Sequence, residues 1–468
     1  MKHTRRKILP ILVTTALLAA ACGDDDDSAD DAATDDAATD DAATDDAATD
    51  DAATDDAATD DAAGSGLEGT LRVLIHQNPS GVEFIENFNA DFEAANPGVT
   101  VDLRIVNADD IPTQNQTQLT ANDIDITTIS VTGFANPVQD YMTDAEPPYW
   151  QQLIDAGLLM DISDQAYVAN YDDAANDSSS YNGSQYAVAL GRTTYSGMFV
   201  NEDILGEAGV EIPTTWDELV SSCGPIEDAG YKCMIAGGAD SWPVFVGSYG
   251  LLGALYPDQQ ALVEGLWTGA AAWNDEQGLE LFDRYATYAS LLDAESAGLG
   301  GDAAASRYAI GDVAYGPMGG WNAALVDEAT FEWEYIPFPG SSDAADNQTF
   351  FGKVDMSLAV AADTPVPELA HAWMAAFSEP DTYNAFANAT NYIPTQPTAA
   401  LDSNLGASIA PLLQQGNFAI GFEQWYVGPT GAGQWANGSQ AALWLYTGDF
   451  GSGAEAAEAS QADLASGL

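Results

Sequence analysis

Short apolar runs alternate along most of this chain with stretches whose apolar residues recur every three or four positions. Residues 71–75 form a compact apolar run that predicts a strand. Val82, Ile85, Phe88 and Phe92 follow at near-helical spacing, and Asn96-Pro97-Gly98 stops that helix. Val99, Val101, Leu103 and Ile105 alternate as a strand, and residues 124–131 predict a third. The pattern returns later, with strand-like residues at 195–200 and 234–236. Between them Thr214-Thr215-Trp216-Asp217-Glu218-Leu219 reads as a helix start with Thr215 as N-cap. Residues 357–361 predict a strand leading through Pro365 and Pro367 into helices over 369–377 and 383–389. Strands alternating with helices predict an α/β fold on mainly parallel sheets covered on both faces.

The first 66 residues do not share this pattern. Lys2, Arg5, Arg6 and Lys7 precede the apolar run 8–21, which Pro10 interrupts, and then Cys22. A basic start, a short apolar stretch and small residues describe an export signal 1–21, too short to span a bilayer. The cysteine after Leu18-Ala-Ala-Ala resembles the bacterial lipobox, in which that residue is lipidated. The preferred residue three before it is Leu, whereas here it is Ala19. Arg5-Arg6 resembles a twin-arginine signal, a feature that ordinary secretion signals share. No later segment is apolar enough to cross a membrane.

Residues 22–66 then predict a tether. The pentad Asp-Asp-Ala-Ala-Thr repeats from Asp30, and 18 Asp without a cation lie between Asp24 and Asp61. Such a segment repels itself and has nothing from which to build a core. Fully extended it reaches on the order of 140 Å. It reads as a spacer holding a domain clear of a lipid surface, or simply as a solubilising segment.

Residues 67–468 suit one large two-lobed protein or two domains. They carry seven cations (Arg72, Arg104, Arg192, Lys232, Arg284, Arg307 and Lys353) against 55 carboxylates. That imbalance argues against nucleic-acid or anionic-membrane partners, which need clustered Lys and Arg. An acidic protein of this kind suits a saline exterior, where screening relieves self-repulsion, or equally a lineage whose proteins have acidic surfaces. Cys223 and Cys233 are the remaining cysteines. In an exported chain their spacing predicts a local disulfide rather than free thiols, and two thiols alone make no zinc site.

Several segments, in order, resemble the extracellular solute-binding proteins of family 1, the maltose- and oligosaccharide-receptor type. Gly69-Thr-Leu-Arg-Val-Leu is followed by Phe92-Glu-Ala-Ala-Asn-Pro-Gly-Val-Thr-Val, Asp123-Ile-Asp-Ile and Asp155-Ala-Gly-Leu-Leu-Met-Asp-Ile. Tyr181-Asn-Gly-Ser-Gln-Tyr-Ala-Val, Met198-Phe-Val-Asn-Glu-Asp-Ile-Leu and Ile212-Pro-Thr-Thr-Trp-Asp-Glu-Leu come next. Ile310-Gly-Asp-Val-Ala-Tyr-Gly-Pro-Met-Gly-Gly-Trp, Ile336-Pro-Phe-Pro-Gly and Asn391-Tyr-Ile-Pro-Thr complete the series. The resemblance implies a two-lobed periplasmic-binding-protein-like fold of type II, with ligand bound between lobes that hinge shut. By analogy the N-lobe is 67–192 plus 350–400 and the C-lobe 193–349 plus 401–468. It implies a monomeric, lipid-anchored receptor on the outer face of the cytoplasmic membrane. That receptor hands a carbohydrate to the permease of an ABC importer, with no cofactor and no metal.

A sugar presents apolar C–H faces and a rim of hydroxyls, so its receptor needs aromatic plates and planar polar groups. Trp321, after Gly319-Gly320, Trp435, in Gly433-Gln434-Trp435, and Trp242, in Asp240-Ser-Trp-Pro, sit where the resemblance places stacking aromatics. Core packing is the ordinary alternative for each. Polar candidates come from strand ends, where open α/β sheets bind ligands. These are His76-Gln77-Asn78 after the first strand and Thr132-Gly133-Phe134 after the third, with Asp240, Gly320 and Asn322 beside the tryptophans. Arg192, near the crossover, suits a hydroxyl or carboxylate clamp and equally a buried structural ion pair. His76 is equally a strand-end residue satisfied by backbone.

After signal removal His76 and His371 are the two histidines, and no G-x-S-x-G, H-E-x-x-H, P-loop or G-x-G-x-x-G after a strand is present. The chain therefore reads as a non-enzyme. Two alternatives stay open: the same fold binding a polyamine or other polar solute, and, more remotely, a surface glycosidase, which needs only two carboxylates.

Overall fold

The computed structural model describes residues 66–130 and 136–468. Cys22, Thr132 and Phe134 therefore lie outside the described residues. The chain runs through β1 (Glu68–His76), α1 (Pro79–Ala95), β2 (Gly98–Val106), α2 (Ile111–Thr120), β3 (Ile126–Ser130), α3 (Tyr149–Asp155) and β4 (Ala187–Thr194). It continues as β5 (Gly197–Asn201), α4 (Trp216–Asp228), β6 (Lys232–Met234), α5 (Trp242–Leu255), α6 (Gln259–Thr268), α7 (Glu276–Leu291), β7 (Val313–Gly316) and β8 (Trp333–Pro337). It ends with β9 (Phe350–Val360), α8 (Pro367–Phe377), α9 (Pro380–Thr390), β10 (Phe418–Ile420), α10 (Phe422–Trp425), α11 (Ala441–Thr447) and α12 (Gly453–Ala465).

Local chemistry explains the best-defined of these starts. The Asn78 side chain accepts the Gly81 amide at 3.0 Å, and Pro79 opens α1 without wasting a donor. Thr215 and Glu218 form a reciprocal capping box at the head of α4. The aromatic stripe of α1 then meets those of α8 and α9. Phe88 packs edge-on against Trp373 and Phe377, and Phe84 against Phe386. The Trp373 indole is wholly buried and donates to Asn89 Oδ1 at 2.8 Å, which removes the cost of an unpaired N–H.

Two sheets organise the described chain. The first has the order β10-β9-β3-β1-β2, with β4 also paired to β9; the second has the order β8-β5-β7-β6. β1 and β2 run parallel from Glu68↔Gly98 to His76↔Val106. The sheets are mixed rather than mainly parallel. β9 pairs antiparallel with β3 and β4, and β5 pairs antiparallel with β7 and β8. In the first sheet β9 runs against β3 and β4 but parallel to β10.

Arg72 and Asp125 lock β1 to the start of β3. The Arg72 guanidinium donates to both Asp125 oxygens, at 2.9 and 2.7 Å, and its own amide adds a third bond at 2.8 Å. Burial works against the Asp125 charge, but these donors and the Thr364 hydroxyl hold its carboxyl below the usual range. Leu71, Val73 and Ile75 bury in a core with Trp373 and Phe377, while Leu74 faces Ile111 and Leu153 on the other side. The second sheet has its own core, built from Met198, Val200, Leu251, Leu252, Phe282 and Tyr285. Cys223 and Cys233 lie in that core, bonded sulfur to sulfur, with Cα atoms 5.1 Å apart. The capped helix α4 is thereby tied to β6.

Candidate functional site

Where the first sheet faces the second half, β9 makes an unusual turn. Its start pairs with β10 and its end with β3, and between them Met356 takes φ +50°. A methionine in the left-handed region is strained, and such strain concentrates at functional sites. The Met356 amide donates to Asp355 Oδ1 at 2.9 Å. Asp355, itself buried, also accepts from the Tyr392 hydroxyl at 3.4 Å and lies 4.0 Å from the Lys353 ammonium.

His76 joins this cluster at the end of β1, 5 % exposed, and its Nδ1 has no partner among the described residues. Burial, helped by the Lys353 charge and opposed by Asp355, lowers its pKa and keeps the ring neutral near pH 7. Asn78 donates to the Tyr392 hydroxyl at 3.1 Å while capping α1. Gln77 is exposed, and its amide is satisfied by the Val106 carbonyl.

A second group is aromatic. Trp242 and Trp321 face each other with ring centroids 6.1 Å apart and planes tilted by 43°. Trp242 keeps 37 % of its surface exposed, unusual for so large a ring. Its position is set by Ser241, at φ 67° and ψ −56°, and by the Trp242 amide, which donates to the Asp240 carbonyl at 2.7 Å. Those values describe a γ-turn of the rare, strained hand. The Asp240 carboxylate is held by the Gly301 amide at 2.8 Å. Asn322, buried, and Met318 complete the lining, and the space between the walls amounts to about 10 Å³. That is no more than one water needs. Gly320 brings its backbone against the Thr194 hydroxyl, where a Cβ would sit 2.8 Å from Oγ1.

A third group joins the first two. Tyr195, Tyr249 and Phe351 cluster beneath Trp321, which also packs against the first core. Gly421 passes so close to the Tyr195 hydroxyl that a Cβ there would overlap it, at 1.4 Å. Beyond it Glu423 of α10 turns its carboxyl toward Tyr195. The two face each other, and each shifts the other's titration. Burial pushes the Glu423 carboxyl up to about 7, against the smaller opposing effects of Tyr195 and Lys353. Burial beside Glu423 drives the Tyr195 hydroxyl well above its usual range.

The sequence-predicted residues thus divide. Trp242, Trp321, Asp240, Gly320 and Asn322 come together, and His76 and Asn78 lie in the polar cluster. Trp435 does not join them. Its ring stands edge-on to Trp444 and Phe450, 4.9 and 5.1 Å away, and its amide binds Asp463 of α12. Arg192 is engaged in structure: it donates to Asp172 Oδ1 at 2.6 Å and to the Pro394 carbonyl at 3.3 Å. Sequence reasoning missed Tyr195, Tyr249, Lys353, Asp355, Tyr392 and Glu423. The one available signal was Glu423 lying between Phe422 and Trp425, a carboxylate in apolar company.

His371 sits apart on α8, its Nδ1 3.0 Å from the Tyr167 hydroxyl. Among the described residues no group of His, Cys, Asp and Glu is placed to hold a metal ion, and no helix is long and apolar enough to cross a membrane.

Two α/β halves, each with its own sheet and core, define the type II periplasmic-binding-protein-like fold. The chain belongs to the bacterial extracellular solute-binding proteins, whose family model matches residues 77–384. Solved structures share the fold. RafE in complex with raffinose is 16 % identical, with a TM-score of 0.66 over 85 % of this chain and 98 % of that one. The GacH receptor of Streptomyces glaucescens is 18 % identical, with a TM-score of 0.63 over 85 % and 97 %. A sugar transporter of Bacillus licheniformis in complex with stachyose is 16 % identical, with a TM-score of 0.65 over 84 % and 98 %. No curated protein matches the chain in sequence.

Proposed function

We propose that the protein is an exported lipoprotein that captures a carbohydrate between its two halves and delivers it to an ABC importer. The observation that carries this reading is the Trp242–Trp321 pair, two indoles flanked by Asp240 and Asn322. Indole faces stack on the C–H faces of a pyranose, and the carboxylate and amide groups bind its hydroxyls. The Tyr195 hydroxyl and the Glu423 carboxyl facing it add a donor and an acceptor deeper in the same region. The raffinose and stachyose complexes of the similar folds favour the same ligand class.

In this reading residues 67–192 with 350–400 and residues 193–349 with 401–468 move as lobes. Ligand shifts the population toward a closed form that the permease recognises. Residues 1–21 direct export, Cys22 is lipidated, and the acidic tether 22–66 spaces the receptor from the membrane. The protein acts as a monomer and carries out no chemistry on its ligand.

The test is titration of intrinsic tryptophan fluorescence with raffinose, stachyose, xylo-oligosaccharides and chito-oligosaccharides, with spermidine and amino acids as controls. A saturable response to one sugar class supports the reading. A response to spermidine or an amino acid alone transfers the site to a non-sugar solute. Release of monosaccharide from an oligosaccharide by the purified protein would make it a glycosidase.

A further inference from the structure

Residues 136–145 belong by position to the first half, yet they pack on the second. β3 ends in the first sheet, where Ser130 pairs with Ser357. α3 lies again on the first half, with Trp150 and Leu153 buried beside Leu74 and Ile111. Between these points the chain docks elsewhere. Met142, 3 % exposed, sits in the core of the second half, with Val138, Tyr141 and Ala145 packed against it. The Asn136 backbone and side-chain nitrogens both donate to the Gln424 carbonyl, at 3.1 and 2.8 Å. The Thr430 hydroxyl donates to the Asp144 carbonyl at 2.9 Å, and Asp144 takes φ +59° to present it. Aspartate tolerates that conformation better than most residues.

A chain that leaves one half, buries an apolar side chain in the other and returns is a non-covalent tie between them. We propose that residues 136–145 act as a clasp that keeps the two halves together across the site and limits how often they part. The clasp grips α10 next to Glu423, so its release also frees the helix that carries one of the deep polar groups. Opening therefore requires either withdrawal of Met142 from its seat or travel of the whole segment with the second half. The inference rests on the two-half reading of closure and is independent of which solute is bound.

Hydrogen exchange of the full-length protein without ligand tests it. The Asn136→Ala/Met142→Ser variant should speed exchange in 136–145. It should also do so by roughly three- to tenfold at the facing walls, residues 76–78 of the first half and 318–322 of the second. Met142→Leu should restore wild-type exchange at the walls. If the first variant fails to fold, Asn136→Ala/Thr430→Ala, which removes only polar anchors, should give the same pattern more weakly. Faster exchange confined to 136–145, with both walls unchanged, would overturn the clasp. Because no sugar enters the experiment, failure of the carbohydrate reading leaves its outcome interpretable.

Discussion

Trp242 opens α5 and Trp321 lies in the loop after β7, and their rings meet at 6.1 Å across a gap too small for a solute. Both are held by backbone rather than by packing alone. Ser241 fixes one through a strained turn, and Gly319, without a side chain, leaves room for the ring of the other.

If the pair stacks on ligand, Trp321→Ala and Trp242→Ala should each weaken binding of the best sugar by about 1–3 kcal/mol. Trp435→Ala should leave affinity unchanged and lower the melting temperature, because its ring fills space against Trp444 and Phe450. Calorimetric titration and thermal unfolding of the three variants separate these effects. Equal losses of affinity for all three would contradict the placement of Trp435.

Glu423 makes stability depend on pH in a definite direction. Its folded pKa of about 7 lies above the unfolded glutamate value of about 4.3. Between these values the folded state holds one more proton than the unfolded state, so stability falls as pH rises through that window. The loss is on the order of 4 kcal/mol at most. Glu423→Gln should match the wild type near pH 5 and exceed it near pH 8. Urea midpoints at several pH values check this, and parallel curves for the two proteins would refute it.

Arg192 gives a complementary prediction. Its guanidinium holds Asp172, which caps the helix Asp173–Asp177, and reaches Pro394. Arg192→Met should cost about 1–3 kcal/mol of stability by leaving Asp172 without its partner. Ligand affinity should stay within about twofold, a difference of less than half a kcal/mol. A large loss of affinity without a loss of stability would return Arg192 to the binding site.

How much of this was legible in the sequence follows from what each residue must do. The β1-α1-β2 start shows itself because alternation, a cap and Asn-Pro-Gly all agree. The Thr215 capping box is local by nature, so four residues reveal it. β9 extends back to Phe350, well before the strand read at 357–361, because Gly352, Lys353 and Asp355 interrupt its apolar pattern. Strands on both its sides supply the burial that pattern alone does not show. α5 is buried on nearly every face and so shows little amphipathic period. Trp242 and Trp321 were candidates from where the resemblance places stacking aromatics, whereas their meeting depends on tertiary geometry. Glu423 and Asp355 were hidden among 55 carboxylates, most of them solvated. Burial, which the sequence does not print, is what distinguishes them.

The N-terminal reading makes its own prediction. Cys22→Ser should move the protein from the membrane fraction to the soluble exported fraction while leaving ligand binding intact. Retention in the membrane fraction would exclude Cys22 as the anchor.

The central claim is best tested by a crystal structure of the protein with the sugar that gives the strongest fluorescence response. The account predicts density for a pyranose ring against Trp242 or Trp321, with a hydroxyl in contact with Tyr195 or Glu423. Ligand density elsewhere on the molecule, with the Trp242–Trp321 contact still closed, would contradict it.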